Sequence, residues 1–420
     1  MSRIHVFTSA AFNYIPKVRI LFNSLRRYHP EWVLHLALAD ELHPEINLSQ
    51  EPIDHIWPVS DLDIPLWRGW AFCHTIVELA TAIKPFLLLK LLQLPDCDKV
   101  IYLDPDTVVF SRLDDIVQAL DESNIVLTPH QTKPEQALSA VMDNEICSLK
   151  HGIYNLGFIA VATGDVGLEF AHWWSDRVYH FCRADIPNGL FTDQRWIDLV
   201  PAFFSGVAIM RSSRHNVSTW NLTTRVFSVG PSGDYLVDSE PLGFYHFTGF
   251  DSGAHRIMAL KNAPGNSAIH ALVDWYSAET QKVGQDPLAK VPWAYACYSN
   301  DEPITKIQRV FYRERTDLQG VFSDPFVATQ YLAWWKDRFE IEVLPTLQSM
   351  RKQVRDDTDT VQFPLTAGFR GTEQGFDRSK LGVMFKSSLT NPRSGLQLGR
   401  RGWEILKNEG LAGFKRRLQR

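Results

Sequence analysis

Val100-Ile101-Tyr102-Leu103-Asp104-Pro105-Asp106-Thr107-Val108-Val109 runs from an apolar strand straight into two carboxylates set two residues apart. In open α/β sheets ligands bind beyond the carboxyl ends of the strands, so chemistry is expected at Asp104 and Asp106. A pair of carboxylates there suits a hard divalent cation, because Mg²⁺ and Mn²⁺ take oxygen ligands, commonly one or two carboxylates plus the phosphates of a substrate. The remaining ligands would come from a diphosphate, and the implied substrate is a nucleoside diphosphate compound. The competing possibility is a surface turn that happens to contain Asp-Pro-Asp; the strongly apolar strand before it counts against that.

Outward from this run, the first 130 residues alternate short apolar segments with helix-period segments, the pattern of βαβ units and a mostly parallel sheet. Ile4 to Thr8 predicts a strand, Tyr14, Val18, Leu21, Phe22, Leu25 and Tyr28 recur at helical spacing, and Val33 to Leu38 predicts a second strand. A helix-period segment from Thr75 to Leu92 leads to the strand Lys99 to Leu103. Strands over Asn124 to Leu127 and Gly157 to Ala162 follow, with a helix over Phe170 to Phe181, and the sheet is expected to extend to about residue 210. From about 256 the pattern turns helical and aromatic. The expected organisation is therefore an α/β domain over 1–256, a helical aromatic-rich region over 257–350, and a polar linker with a basic tail over 351–420. Within 395–420, Arg400, Arg401, Lys407, Lys415, Arg416 and Arg417 interleave with Trp403, Leu406, Leu411 and Phe414. That composition suits an amphipathic helix lying on anionic lipid, or one packed on its own domain or on a second copy in a homodimer.

Composition narrows the function classes. The chain has 420 residues, 45% apolar and 22% charged, as in a folded protein rather than a disordered one. Lys and Arg total 43 against 48 Asp and Glu, which gives no whole-chain attraction to nucleic acid. Cys73, Cys97, Cys147, Cys182 and Cys297 are scattered and never form a C-x-x-C pair, so neither a disulfide framework nor a zinc knuckle is expected. With an opening that reads as a strand rather than a leader, and no apolar run near the roughly 20 residues a membrane span needs, the expected location is the cytoplasm, at the inner face of the membrane if the tail binds lipid. Sequons at Asn47, Asn216 and Asn221 carry no meaning in such a compartment.

Two enzyme classes use an aspartate pair at the end of an apolar strand. One is a haloacid-dehalogenase-type phosphatase, with Asp104 as nucleophile and Asp106 as acid/base, Lys133 or Lys150 as its lysine, and Gly164-Asp165 with Glu169 as its later acidic motif. Against it, about a hundred α/β residues precede Asp104. The other emerges from motifs in order along the chain: Val6-Phe7-Thr8-Ser9-Ala10 with Tyr14; Lys84 in Thr81-Ala82-Ile83-Lys84-Pro85-Phe86; Leu103 to Val109; Tyr154-Asn155-Leu156-Gly157-Phe158; Phe191-Thr192-Asp193-Gln194-Arg195-Trp196; and Tyr245-His246-Phe247-Thr248-Gly249. In this order they resemble a GT-A-fold glycosyltransferase, most like the retaining family of glycogenin and the bacterial lipopolysaccharide galactosyl- and glucosyltransferases, over about residues 3–256.

The resemblance implies a Rossmann-like GT-A domain that uses Mn²⁺ or Mg²⁺ and a nucleotide-sugar, a UDP-sugar, as donor. The acceptor would be a cell-surface glycan or a lipid-linked sugar, and configuration would be retained. By the same resemblance Phe7, Thr8 and Tyr14 cradle the nucleotide and Lys84 contacts the donor. Asp104, Asp106 and His246 ligate the metal, with Asp104 alternatively a ribose contact. Asn155 reaches the donor sugar, Gly157 belongs to the donor-binding strand start, and Gly249 lets backbone approach the phosphates. Asp193 and Gln194 lie beside the anomeric carbon; if Asp193 acts as a general base instead, the enzyme inverts. The chain departs from the family after Gly249, where Phe250-Asp251-Ser252-Gly253 replaces a lysine and proline, and Arg256 is the candidate substitute. Each residue also has an ordinary alternative: Asn155 and Gly157 a turn, Asp193 a helix cap, His246 a half-buried aromatic neighbour, Lys84 a solvated helix residue. A third class is a catalytically silent sugar-nucleotide-binding protein that assembles a membrane complex.

Overall fold

The computed structural model describes residues 2–349, and the chain divides into two units, Met1–Phe339 and Glu340–Arg420. In the second, residues 344–349 are helical. The expected linker and basic tail, with any membrane contact through 395–420, lie outside the described residues. The first unit takes in the α/β region and most of the helical region.

Its centre is a mixed sheet of β1 (Ile4–Ala10), β2 (Val33–Leu38), β3 (His55–Pro58), β4 (Lys99–Leu103), β6 (Ile125–Pro129), β7 (Tyr154–Ala162) and β8 (Val207–Ile209). The spatial order is β8-β6-β7-β4-β1-β2-β3. All neighbours run parallel except β7, which is antiparallel to both β4 and β6. The expected mixed α/β architecture is the observed one. Every residue of β1, β4 and β6 is buried, as for strands covered on both faces, and this is why apolar residues occupy both faces of each. The helix Ile15–Tyr28 turns Val18, Leu21, Phe22 and Leu25 onto Val6, Leu34 and Leu36 of the sheet.

The periodic segment after Thr75 is two helices, Ile76–Ala82 and Lys84–Leu92, rather than one. Pro85 has no N–H to continue a helical ladder, so the chain restarts there and Lys84 occupies a first turn. Strand β7 begins three residues earlier than expected, which places Asn155 and Gly157 inside the sheet rather than in a turn before it. A short β5 (Thr107–Val109) pairs antiparallel with β9 (Phe244–His246), the last strand; from Ala254 to Val343 the described elements are all helices. Within the first unit, the helical region is tied back to the end of β2. The buried Asp40 carboxylate accepts from the N–H groups of Phe12 and Ala294 at 3.2 and 2.9 Å, and Trp293 Nε1 donates to Ala39 O at 2.8 Å. Among the described residues no helix is long and apolar enough to cross a membrane.

Candidate functional site

The end of β4 is built to hold carboxylates in place. Asp104 N–H donates to Gly157 O at 2.9 Å, which makes it the last rung of the β4–β7 ladder, and Thr107 donates to Asp104 O from both its N–H (3.0 Å) and its hydroxyl (2.7 Å), closing a turn around Pro105. The chain then enters β5, whose pairing with β9 sets Thr107 opposite His246, while Phe247 N–H donates to Asp106 O at 2.9 Å. His246 thus arrives from far along the chain beside both carboxylates: Nε2 lies 3.0 Å from Asp106 Oδ1 and 3.6 Å from Asp104 Oδ2. Among the described residues this is the one group of three His, Cys, Asp or Glu side chains with ligand atoms close enough for a common ion, all within 4.8 Å.

The cluster forms one side of a cleft of about 560 Å³. Lys84, only 5% exposed, places Nζ 3.2 Å from Asp104 Oδ1, 3.2 Å from Asp193 Oδ2 and 3.4 Å from Leu156 O. Burial works against the charge on Lys84; the two aspartates outweigh that and hold the ammonium firmly charged. Burial pushes the Asp193 carboxyl up, and Lys84 offsets this only in part. At Asp106 burial is outweighed by His246, which holds the carboxyl below its ordinary range; reciprocally, burial of His246 is outweighed by Asp106 and Asp104, which raise the imidazole above its own. Tyr102 donates its hydroxyl to Asp104 Oδ1, and its ring centroid is 4.4 Å from Lys84 Nζ.

The ordinary alternatives give way at several positions. Lys84 is not solvated, His246 is 2% exposed rather than half-buried, and the Asp193 side chain makes no cap hydrogen bond to the helical turn Gln194–Leu199. The lysines and acids offered for a phosphatase do not gather at Asp104: Lys133 is paired with Asp238 at 3.7 Å, and Asp165 and Glu169 lie on the helix Asp165–Phe181, outside the cluster.

The remaining expected residues differ in whether they line the cleft. Phe7 and Thr8 do not line the cleft; both are fully buried inside β1, with Phe7 packed 4.9 Å from the Tyr102 ring, and the wall comes from Ser9, Ala10, Ala11 and Asn13 where β1 runs out. A strand covered on both faces can reach a ligand only from its end. A Cβ at Gly157 would sit 2.3 Å from His246 Cε1, so the glycine makes room for the imidazole. Gly249 has φ +68°, a turn conformation that favours glycine, next to the cleft-lining Thr248. Arg256 is engaged with Asp274 on an exposed helix face and does not line the cleft. Asn155 and Gln194 line the cleft, but their amides serve the walls: Gln194 Oε1 accepts from Leu156 N–H at 2.9 Å and its Nε2 donates to His151 O at 3.0 Å.

Two contributors were not singled out from sequence. Lys17, on the turn after Tyr14, donates to the Tyr14 hydroxyl at 3.1 Å and pairs with Asp251, which itself accepts from Tyr14 at 3.0 Å. This brings a cation to the place where the departure after Gly249 leaves none; its signal was the i, i+3 spacing of Tyr14 and Lys17. His130 stands behind Asn155, and nothing in its sequence neighbourhood marked it.

No protein-family model matches the sequence. Two Bacillus subtilis (strain 168) proteins are similar to it. Uncharacterized protein YfnF is 25% identical over 257 residues, 58% of this chain and 82% of its own. Uncharacterized protein YfnD is 25% identical over 256 residues, 60% of this chain and 79% of its own. Among solved structures, galactosyltransferase LgtC in complex with donor and acceptor sugar analogs matches at 16% identity and TM-score 0.35, covering 65% of this chain and 99% of that one. The glycosyltransferase GlyE of Streptococcus pneumoniae TIGR4 matches at 16% and 0.38, covering 67% and 64%. Mouse xyloside xylosyltransferase 1 matches at 14% and 0.34, covering 59% and 98%. Each of these solved chains is a glycosyltransferase, and it is to proteins of that kind that this chain is similar.

Proposed function

We propose that the cleft is the donor site of a metal-dependent glycosyltransferase of GT-A type. It would take a sugar from a nucleotide-sugar, a UDP-sugar, and pass it to a cell-surface glycan or lipid-linked acceptor with retention of configuration. The observation that carries this is the convergence of Asp104, Asp106 and His246 at a strand end, with the buried Lys84–Asp193 pair 3.2 Å apart beside them.

The donor set fits the group it is asked to hold. Two carboxylates and one imidazole suit Mn²⁺ or Mg²⁺ and leave positions for phosphate oxygens. Bound there, the ion supplies Lewis-acid neutralisation of the diphosphate. Breaking the anomeric C–O bond builds negative charge on the leaving diphosphate and positive charge on the sugar. Lys84, kept charged by its two aspartates, presents a fixed ammonium to the leaving group without reorganisation. The Asp193 carboxylate, 3.2 Å from that ammonium, would offset positive charge developing on the sugar. Asn155 and Gln194 keep the wall rigid through their own hydrogen bonds. With retention, the leaving phosphate takes the acceptor's proton and no separate base is required.

The test is a thermal-shift and NMR screen against UDP-, dTDP-, GDP- and CMP-sugars with and without Mn²⁺, following slow release of sugar into water. The expected result is a Mn²⁺-dependent shift with one nucleotide, with the released anomer reporting retention. No shift with any of them, alongside hydrolysis of a simple phosphate ester, would overturn the proposal in favour of the phosphatase.

A further inference from the structure

We infer that His130 and Asn155 form a positioning relay that fixes His246 as its Nδ1-protonated tautomer and aims the Nε2 lone pair at the metal position. For its consequence the inference rests on the metal-site reading above; for its geometry it does not.

The chain of donors and acceptors leaves one neutral tautomer for each ring. Gly157 N–H donates to Asn155 Oδ1 at 3.1 Å, which settles which end of the amide is oxygen. The other end, Nδ2, faces His130 Nε2 at 3.1 Å. An amide nitrogen donates, so His130 Nε2 accepts and the proton of that ring sits on Nδ1, which donates to Ile153 O at 3.2 Å. Asn155 Oδ1 also lies 3.1 Å from His246 Nδ1. A carbonyl oxygen only accepts, so His246 carries its proton on Nδ1. In the neutral ring Nε2 then turns its lone pair toward Asp106 Oδ1, 3.0 Å away, and the positive charge this contact calls for is a proton in the metal-free protein, which a bound cation would replace.

Asn155 has nothing left for a sugar. Its oxygen accepts twice, and Nδ2 donates to His130 and, at 3.4 Å, to Gln194 Oε1, so both donors and both acceptors of the amide are taken. Packing holds the rings as well. Trp220 meets His130 and His246 edge-on, with centroids 5.0 and 5.5 Å away, and the missing Cβ of Gly157 lets the His246 ring lie against β7. Partners of this kind fix the orientation and basicity of a ligating imidazole.

Metal-free wild-type protein labelled with ¹⁵N gives the first test. Long-range ¹H–¹⁵N spectra are followed upward in pH until His246 is neutral, and both His246 and His130 are expected as Nδ1–H tautomers. Finding His246 as the Nε2–H tautomer would overturn the relay whatever the metal does. Second, Mn²⁺ alone is titrated by EPR into wild type, His130→Phe and His130→Gln. The phenylalanine removes the acceptor and is expected to loosen Mn²⁺ by about tenfold or more with an unchanged circular-dichroism spectrum. The glutamine keeps an acceptor near Nε2 and is expected to restore most of the affinity. Unchanged affinity in a folded His130→Phe would also overturn the inference, and if that variant does not fold, the wild-type tautomers decide. Wild type with the expected tautomers that binds no Mn²⁺ overturns the proposed function and leaves the relay standing.

Discussion

The geometry of the cluster leans hardest on Gly157. A Cβ built there would lie 2.3 Å from His246 Cε1, 2.5 Å from His246 Nδ1 and 2.8 Å from Asn155 Oδ1, all far inside contact distance. Gly157→Ala should therefore cost about 1–3 kcal/mol of stability by overpacking. It should also push the imidazole away from Asp106, so the loss of Mn²⁺ affinity should exceed the loss of stability when denaturant midpoints and Mn²⁺ titrations are compared. An alanine variant that binds Mn²⁺ as wild type does would remove His246 from the ligand set. Asp106→Asn is the complementary probe, because it keeps the shape of the side chain and deletes its charge. It is expected to abolish metal-dependent donor binding with the fold intact; undiminished affinity with Mn²⁺ present would sink the site assignment. Both residues stand out in the sequence, Asp106 as one of two carboxylates at a strand end and Gly157 within a strand start. A glycine between Leu156 and Phe158 shows that space is needed but not for what, since the atom needing it belongs to β9.

Elements differ in how well the sequence announces them, and burial explains the difference. The bounds expected for β2 and β4 are those observed, because strands covered on both faces are apolar along most of their length. Strand β9, by contrast, is three residues inside an aromatic stretch, and its partner β5 lies far back along the chain. No local period could reveal that pairing, yet it carries His246 to Asp106. The helix Ile76–Ala82 is intermediate: its period is legible, and its break before Pro85 could have been read. It opens on a capping box, with Thr75 Oγ1 accepting from Glu78 N–H at 3.4 Å and Glu78 Oε2 accepting from Thr75 N–H at 2.9 Å. Thr75→Ala should cost about 1 kcal/mol. Because Ile76, Val77, Ala80 and Thr81 line the cleft and the next helix begins at Lys84, looseness here should disturb the donor more than the chemistry. The expected kinetic signature is a rise in donor KM larger than the fall in kcat; equal loss in kcat and kcat/KM would mean that the helix acts in the transition state instead.

At the scale of the whole molecule, the order of the motifs was legible while their convergence required the sheet to close around them. One further property emerges only there, because it depends on how many imidazoles folding takes out of water. His5, His29, His35, His74, His130, His215 and His255 are all buried. Burial is the leading cause in each and lowers every one of these rings, His35 to about 3 and His74, His130 and His255 to about 4. The unfolded chain protonates its histidines near 6.5, so between about pH 6.5 and 4 the unfolded state binds more protons than the folded one. Stability must then fall as pH falls through that window, at up to roughly 1.4 kcal/mol per pH unit for each such group. His246 runs the other way: its raised folded value contributes stability that is full below about 6.5 and fades as pH rises through the folded value, a single group against several. The expected outcome is a urea midpoint that drops between about pH 7.5 and 5, before most paired carboxylates are protonated, with net proton uptake on unfolding. Calorimetry in buffers of different ionisation enthalpy measures that uptake directly. A flat midpoint without uptake over the same range would mean that these imidazoles stay in contact with water in the folded chain, and with that the tight packing behind the cleft would have to be abandoned.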